Sequence, residues 1–386
     1  MSGAVSQVLG PDVPHLDIDA MLADRSVQVI VCCGSGGVGK TTTAAALGLR
    51  AAEQGRHVCV MTIDPAKRLA QSMGLTELDN TPRPIDGIAN GSLSAMMLDM
   101  KRTFDEIVES HSDAERAQTI LDNPFYQALS SSFAGTQEYM AMEKLGQLRA
   151  ASDTGDNWDL IIVDTPPSRS ALDFLDAPKR LGSFLDGRLI RILAAPAKGA
   201  GRFTSRVVSA SFGVFTNVLS KIIGAQVLKD IQVFVASFDA LFGGFRERAE
   251  ATYAQLKAPD TRFVVVAIPE ADALREASYF VERLEEEKMP LAGMVLNRVS
   301  PGHAPDLTAE AAEAGAEVLD DLEEDPITAG LLRLHADRML AIRRQSHLTE
   351  SFTAAHPQVP IVAVPAFGDD VHDIDGLRAI GDAATA

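Results

Sequence analysis

Seven short stretches of the chain are almost wholly apolar: residues 27–33 (VQVIVCC), 57–63 (HVCVMTI), 93–98 (LSAMML), 159–163 (DLIIV), 262–268 (RFVVVAI), 291–297 (LAGMVLN) and 360–364 (PIVAV). Apolar residues that run on without alternating mark strands covered on both faces. Segments of helical periodicity separate most of them, so the predicted fold class is α/β, a mainly parallel sheet flanked by helices. Two gaps, about 101–156 and about 178–259, are too long for simple crossovers and carry helical periodicity, which predicts a helical subdomain built from two insertions. The α/β core of this single domain, 1–386, then comprises about 26–100, 157–177, 260–300 and 358–386.

The second insertion contains RVVSASFGVFTNVLSKIIGAQVLKDIQVFVASFDALFGGF, poor in charge and rich in large apolar residues. It reads either as the core of the helical subdomain or as an exposed binding groove. The acidic stretch EAAEAGAEVLDDLEED, 310–325, reads as a solvated helix face and the loop after it. No internal repeat or low-complexity tail is visible.

Charge narrows the possible partners. The formal net charge is -18 and the isoelectric point about 4.8, a surface that repels nucleic acid and anionic membrane at long range. The N-terminal segment has no basic stretch followed by an apolar run, and nothing approaches the roughly 20 apolar residues of a membrane helix. Cys32, Cys33 and Cys59 all fall on expected strands, with no metal-ligand or disulfide-framework spacing. The expectation is a cytoplasmic protein with buried, reduced thiols.

Against that background one loop stands out. Residues 34–41, GSGGVGKT, follow a strand and open a helix of good helix formers, the context of a phosphate-binding P-loop. Gly34, Gly36, Gly37 and Gly39 allow successive N–H groups, including those flanking Ser35 and Val38, to turn toward phosphates at a positive helix end. Lys40 is expected on the β/γ-phosphate oxygens of a bound nucleotide, the Thr41 hydroxyl on Mg²⁺, and Thr42 in the same first helical turn. Asp164, directly after DLIIV, is placed to hold the metal through water; its plainer reading is a helix cap. Asp64, ending the second strand, reads either as the carboxylate that orients the attacking water or as a structural cap.

GGVGKTT, then T-x-DPA, then DTPP followed by FLDAP, resembles the ArsA/Get3 family of dimeric ATPases with a deviant Walker A loop, and QEYMAMEKL (137–145), PEADALREA (269–277) and LNRVSP (296–301) are similar to segments of its bacterial members. The resemblance covers most of the chain. It implies that Asp64 is the switch I aspartate polarising the attacking water, that Asp164 is the switch II aspartate sensing Mg²⁺, and that 164–175 moves when the γ-phosphate leaves. It implies further that Asn297, with Arg298 beside it, contacts the adenine, and that Pro365 and Phe367 in VPAFGDD lie over the base. Partitioning ATPases share the loop but usually lack so large a helical insertion.

The implied activity is Mg²⁺-dependent ATP hydrolysis driving a dimer between open and closed forms. The leading role is Get3-like targeting or chaperoning of an apolar helix; the alternative is the energising ATPase subunit of an anion or metalloid transporter at a membrane partner. The chain departs from the family in three ways. It lacks the zinc-binding CxxC pair, since no cysteine follows residue 59, and it lacks the metalloid-binding cysteines. Members also generally carry GKGGVGKT, whose first lysine reaches the partner's nucleotide, whereas this chain has Ser35 there. A serine cannot carry that charge. Either Lys67, Arg68 or Arg169 replaces it in a homodimer, or a paralogous ATPase with an intact GKGG loop supplies it in a heterodimer.

Overall fold

Eight strands form one sheet: β1 (Val29–Cys33), β2 (His57–Thr62), β3 (Arg83–Ile85), β4 (Ser92–Met97), β5 (Leu160–Asp164), β6 (Thr261–Ala267), β7 (Leu291–Val299) and β8 (Ile361–Pro365). Their order is β3-β4-β2-β5-β1-β6-β7-β8. Every neighbouring pair is parallel except β3 with β4. Every residue of β1, β5 and β8 is buried, as is all of β2 but His57, in keeping with strands covered on both sides. The computed structural model describes residues 8–64, 68–124, 126–127, 136–154, 158–166, 247, 250–302, 304, 306–322 and 325–385. Lys67, Arg169, residues 167–175 and nearly all of 178–259 lie outside them, and with them the alternatives drawn for the second insertion.

The seven apolar runs all become strands. β3 was not predicted, for a physical reason: Arg83-Pro84-Ile85 is too short for a pattern, and its proline is tolerated because the strand lies at the sheet edge. The described helices are α1 (Ile18–Ala23), α2 (Lys40–Glu53), α3 (Arg68–Ser72), α4 (Met100–His111), α5 (Ala114–Leu121), α6 (Thr136–Thr154), α7 (Ala271–Glu286), α8 (Ala309–Asp321), α9 (Pro326–Ala355) and α10 (Ile374–Ala383). Among the described residues no helix is long and apolar enough to cross a membrane.

The chain divides into two compact units. Met1–Met97, Ser152–Leu172 and Leu256–Ala386 form the first, which holds the whole sheet; Leu98–Ala151 and Asp173–Gln255 form the second. In the first, Leu47 and Leu49 of α2 share one buried cluster with Ile30, Val58, Val60, Leu160 and Ile162 of the strands, and Leu377 of α10 joins it. In the second, α4 buries Phe104, Ile107 and Val108. The Tyr126 ring meets Phe104 edge-on at 6.2 Å, and its hydroxyl donates to Asp105 at 2.6 Å.

Between β7 and β8 the chain makes a helical hairpin. Thr308 caps α8 by accepting from the Ala311 N–H, and Asp325 caps α9, which has proline at its first position. Small residues, Ala309, Ala312 and Ala336, make its interior. Arg343 pairs with Glu310 and Arg333 with Asp320 on the outside, and Ile327, Leu331 and Leu334 stay exposed along one stripe of α9.

Candidate active site

The carboxyl ends of parallel strands lie on one edge of a sheet, where α/β proteins bind their ligands. Here that edge gathers the loop after β1, Thr62 at the end of β2 and Asp164 at the end of β5, since Thr62 and Cys32 each pair with Asp164 in register.

Residues 34–39 turn the chain from β1 into α2. Gly34 has φ 151°, and a Cβ there would lie 2.1 Å from the Val266 carbonyl oxygen of β6, so the loop leaves β1 where no side chain fits. Gly39, at φ 96°, is the N-cap of α2; a Cβ on it would strike the Asn297 amide at 2.3 Å. Gly39 has no side chain with which to cap α2, no side chain among the described residues does so in its place, and no acidic residue sits in the first turn. The first N–H groups of the helix are therefore open to an anion, the fit a nucleotide phosphate requires. Gly36 and Gly37 are exposed, Val38 is buried, and Ser35 and Thr42 are half-buried.

Lys40 is buried at 7% exposure, and its Nζ donates to the Ser35 carbonyl at 2.8 Å, so the side chain folds back across the loop. Burial holds its ammonium below the usual lysine range, against the pull of the Asp164 carboxylate. Asp164 is fully buried. Its Oδ2 accepts from the Thr41 hydroxyl at 2.7 Å and from the Thr62 hydroxyl at 2.8 Å, while its Oδ1 is buried with no hydrogen-bond partner among the described residues. Burial pushes its carboxyl up to about 6, opposed by the two hydroxyl donors and Lys40. An unpaired buried carboxylate oxygen beside a hydroxyl is the donor set of a hard cation held partly through water, so the residues present fit Mg²⁺. Asp64 is half-buried, and its N–H donates to the Thr62 hydroxyl at 3.2 Å.

The residues expected near adenine lie farther along the same edge. Asn297 is near the end of β7, where the register with β8 shifts between Leu296 and Val299. Its amide nitrogen donates to the Val38 carbonyl at 2.9 Å, and its oxygen accepts the Arg298 N–H at 2.9 Å. Arg298 is exposed, in the left-handed region at φ 55°. Pro365 is buried at the end of β8 opposite Val299, and Phe367, two residues on, is exposed. Arg68, which opens α3, is exposed.

The structure thus brings Lys40, Thr41, Asp164 and Asp64 to one edge, and ties Asn297 to the loop backbone. Sequence reasoning passed over Thr62. Its signal was present in T-x-DPA, but a lone threonine at a strand end says nothing of the two partners its hydroxyl reaches. The three cysteines are buried thiols outside any disulfide; burial pushes Cys33 up to about 12 and Cys32 well above the ordinary thiol range, so both stay protonated.

Residues 27–325 match the model of the anion-transporting ATPase family. The chain is 29% identical over 287 residues to ATPase Get3 of Schizosaccharomyces japonicus, covering 73% of this chain and 78% of that protein. It is 28% identical to ATPase Get3 of Schizosaccharomyces pombe, over 73% and 76% of the two chains, and 27% identical to ATPase GET3 of Podospora anserina, over 81% and 86%. With the phosphate loop, the parallel sheet and a family match spanning most of its length, this chain belongs to the anion-transporting (ArsA/Get3) ATPase family and is an ATP-hydrolysing enzyme.

Proposed function

We propose that the chain hydrolyses ATP with Mg²⁺ at the carboxyl edge of β1, β2 and β5, and that Asp64 orients the attacking water. The observation that carries this reading is the convergence of Thr41 and Thr62 on one oxygen of a buried Asp164 whose other oxygen has no hydrogen-bond partner among the described residues. Lys40 and the open N–H groups of α2 bind the phosphates, and Asn297, with Arg298, Pro365 and Phe367, bounds the base. Thr41 and, through water, Asp164 would hold the Mg²⁺, which when bound neutralises charge on the β- and γ-phosphates. Asp64, half-buried beside this cluster, is exposed enough to meet a water and held near its place by Thr62.

The purpose of the cycle is inferred from kinship. Relatives bearing the name ATPase Get3 support Get3-like targeting of an apolar client by a cytoplasmic dimer. Metalloid transport through thiolates is disfavoured, because all three thiols are buried, and Cys32 and Cys33 are held protonated. We favour a heterodimer, in which a paralogue's GKGG lysine reaches the nucleotide held beside Ser35. The test is the ATPase rate of the purified chain alone and after mixing with such a paralogue. A large stimulation supports the heterodimer. Full activity alone that is lost in Lys67→Ala, Arg68→Ala or Arg169→Ala assigns the charge to this chain, and full activity unaffected by all three contradicts both arrangements.

A further inference from the structure

We propose that Thr62 is a positioning residue that couples Asp164 to Asp64, an inference that rests on the roles proposed for those two aspartates. Thr62 ends β2 directly opposite Asp164, which ends β5, and it is 1% exposed. A threonine hydroxyl has one proton to give and two lone pairs to receive with. The proton goes to Asp164 Oδ2 at 2.8 Å, so the face left toward the chain ahead is an acceptor, and the Asp64 N–H occupies it at 3.2 Å. Asp164 Oδ2 also takes the Thr41 hydroxyl at 2.7 Å. The result is one line of hydrogen bonds from the first turn of α2, through Asp164 and Thr62, to the backbone of Asp64.

The arrangement depends on a short, stiff hydroxyl. The β-branch of threonine restricts χ1, and burial in the sheet leaves no room for the hydroxyl to turn to solvent. A valine would fill the same space without either bond. A serine would keep both bonds with a smaller side chain. The coupling is therefore separable from packing.

Steady-state kinetics of Thr62→Val and Thr62→Ser, alone and in an Asp64→Asn background, test this. Thr62→Val should lower kcat by roughly ten- to a hundredfold, the range expected when a reacting group is slightly misplaced. KM for ATP should stay within about threefold, because the loss falls on the transition state. Thr62→Ser should keep at least about half of wild-type kcat. In the Asp64→Asn background the valine should cost no more than about twofold, since residues acting through one another are not additive. A second readout needs no turnover: in nucleotide-free, metal-free protein the Asp64 amide should exchange its hydrogen at least about tenfold faster in Thr62→Val than in wild type or Thr62→Ser. Wild-type kcat in Thr62→Val, with Asp64→Asn inactive, would overturn the coupling while sparing the role of Asp64. Wild-type turnover in Asp64→Asn would remove that role and the coupling with it. If Thr62→Val does not fold, Thr62→Ala takes its place, and full activity in that variant would equally overturn the proposal.

Discussion

β2 and β5 lie side by side, and a charged cluster stands at each end of the pair, with Arg56 buried at one end and Lys40 and Asp164 buried at the other. At their amino ends Arg56 precedes β2 and Asp159 precedes β5. At their carboxyl ends stand Thr62 and Asp164, with Lys40 on the same edge. Arg56 is 1% exposed, and its guanidinium uses every donor it has: Nε to Asp159 Oδ1 at 2.8 Å, Nη1 to the Leu22 and Asp24 carbonyls, Nη2 to the Val27 and Asp159 carbonyls. Among the described residues the Lys40 ammonium, with three donors, makes one hydrogen bond, to Ser35, and one oxygen of Asp164 has no hydrogen-bond partner. A buried charge that is fully paired holds a fold together; one left partly paired, beside a helix end without a cap, has unmet valence that a ligand can complete.

That contrast makes unequal demands on the two ends. Arg56→Met should cost about 1–3 kcal/mol of stability for each carbonyl it leaves unpaired inside the fold, those of Leu22 and Val27 first, and should leave nucleotide affinity of the folded fraction unchanged. Urea unfolding and equilibrium nucleotide titration would measure the two. Lys40→Ala should do the reverse, lowering ATP affinity by roughly a hundredfold through loss of a buried charge-assisted contact with phosphate, while unfolding as the wild type does or slightly later. If Lys40→Ala unfolds as readily as Arg56→Met, the two ends are not different in kind.

A smaller effect separates them by pH. The Asp164 carboxyl sits near 6 in the fold and near 3.8 when unfolded, so between about pH 4 and 6 the native chain holds a proton that the unfolded chain has released. Its contribution therefore weakens stability as pH rises through that window. Without metal and nucleotide, the wild type should gain stability on acidification from pH 7 to 5 relative to Asp164→Asn, read from paired urea midpoints. The smallest effect belongs to the hairpin between β7 and β8, where Arg343 and Glu310 pair in open solvent. Arg343→Ala should leave the thermal midpoint unchanged within error, because exposed pairs are screened and entropically costly.

The two ends were not equally legible in the sequence. Continuous apolar runs announced seven strands, because burial on both faces leaves no polar position to blur the pattern. The glycines, Lys40 and the strand-ending aspartates stood out because their chemistry is tied to fixed spacing. Arg56 gave no signal, since one arginine before an apolar run is ordinary until Leu22, Asp24, Val27 and Asp159 are folded around it. Thr62 was hidden for the same reason, its partners lying two and 102 residues away. The Asn297 bond to Val38 spans 259 residues and could be read only from the fold. β3 escaped because three residues at a sheet edge carry too little pattern.

The most direct test of this account is Asp64→Asn, assayed in parallel for equilibrium ATP binding and for single-turnover hydrolysis with Mg²⁺, using the chain alone or mixed with the paralogue, whichever proves active. The account predicts binding within about threefold of wild type and a hydrolysis step slowed by roughly a hundredfold or more, the size of a lost positioned base. Hydrolysis at the wild-type rate with binding intact would contradict it.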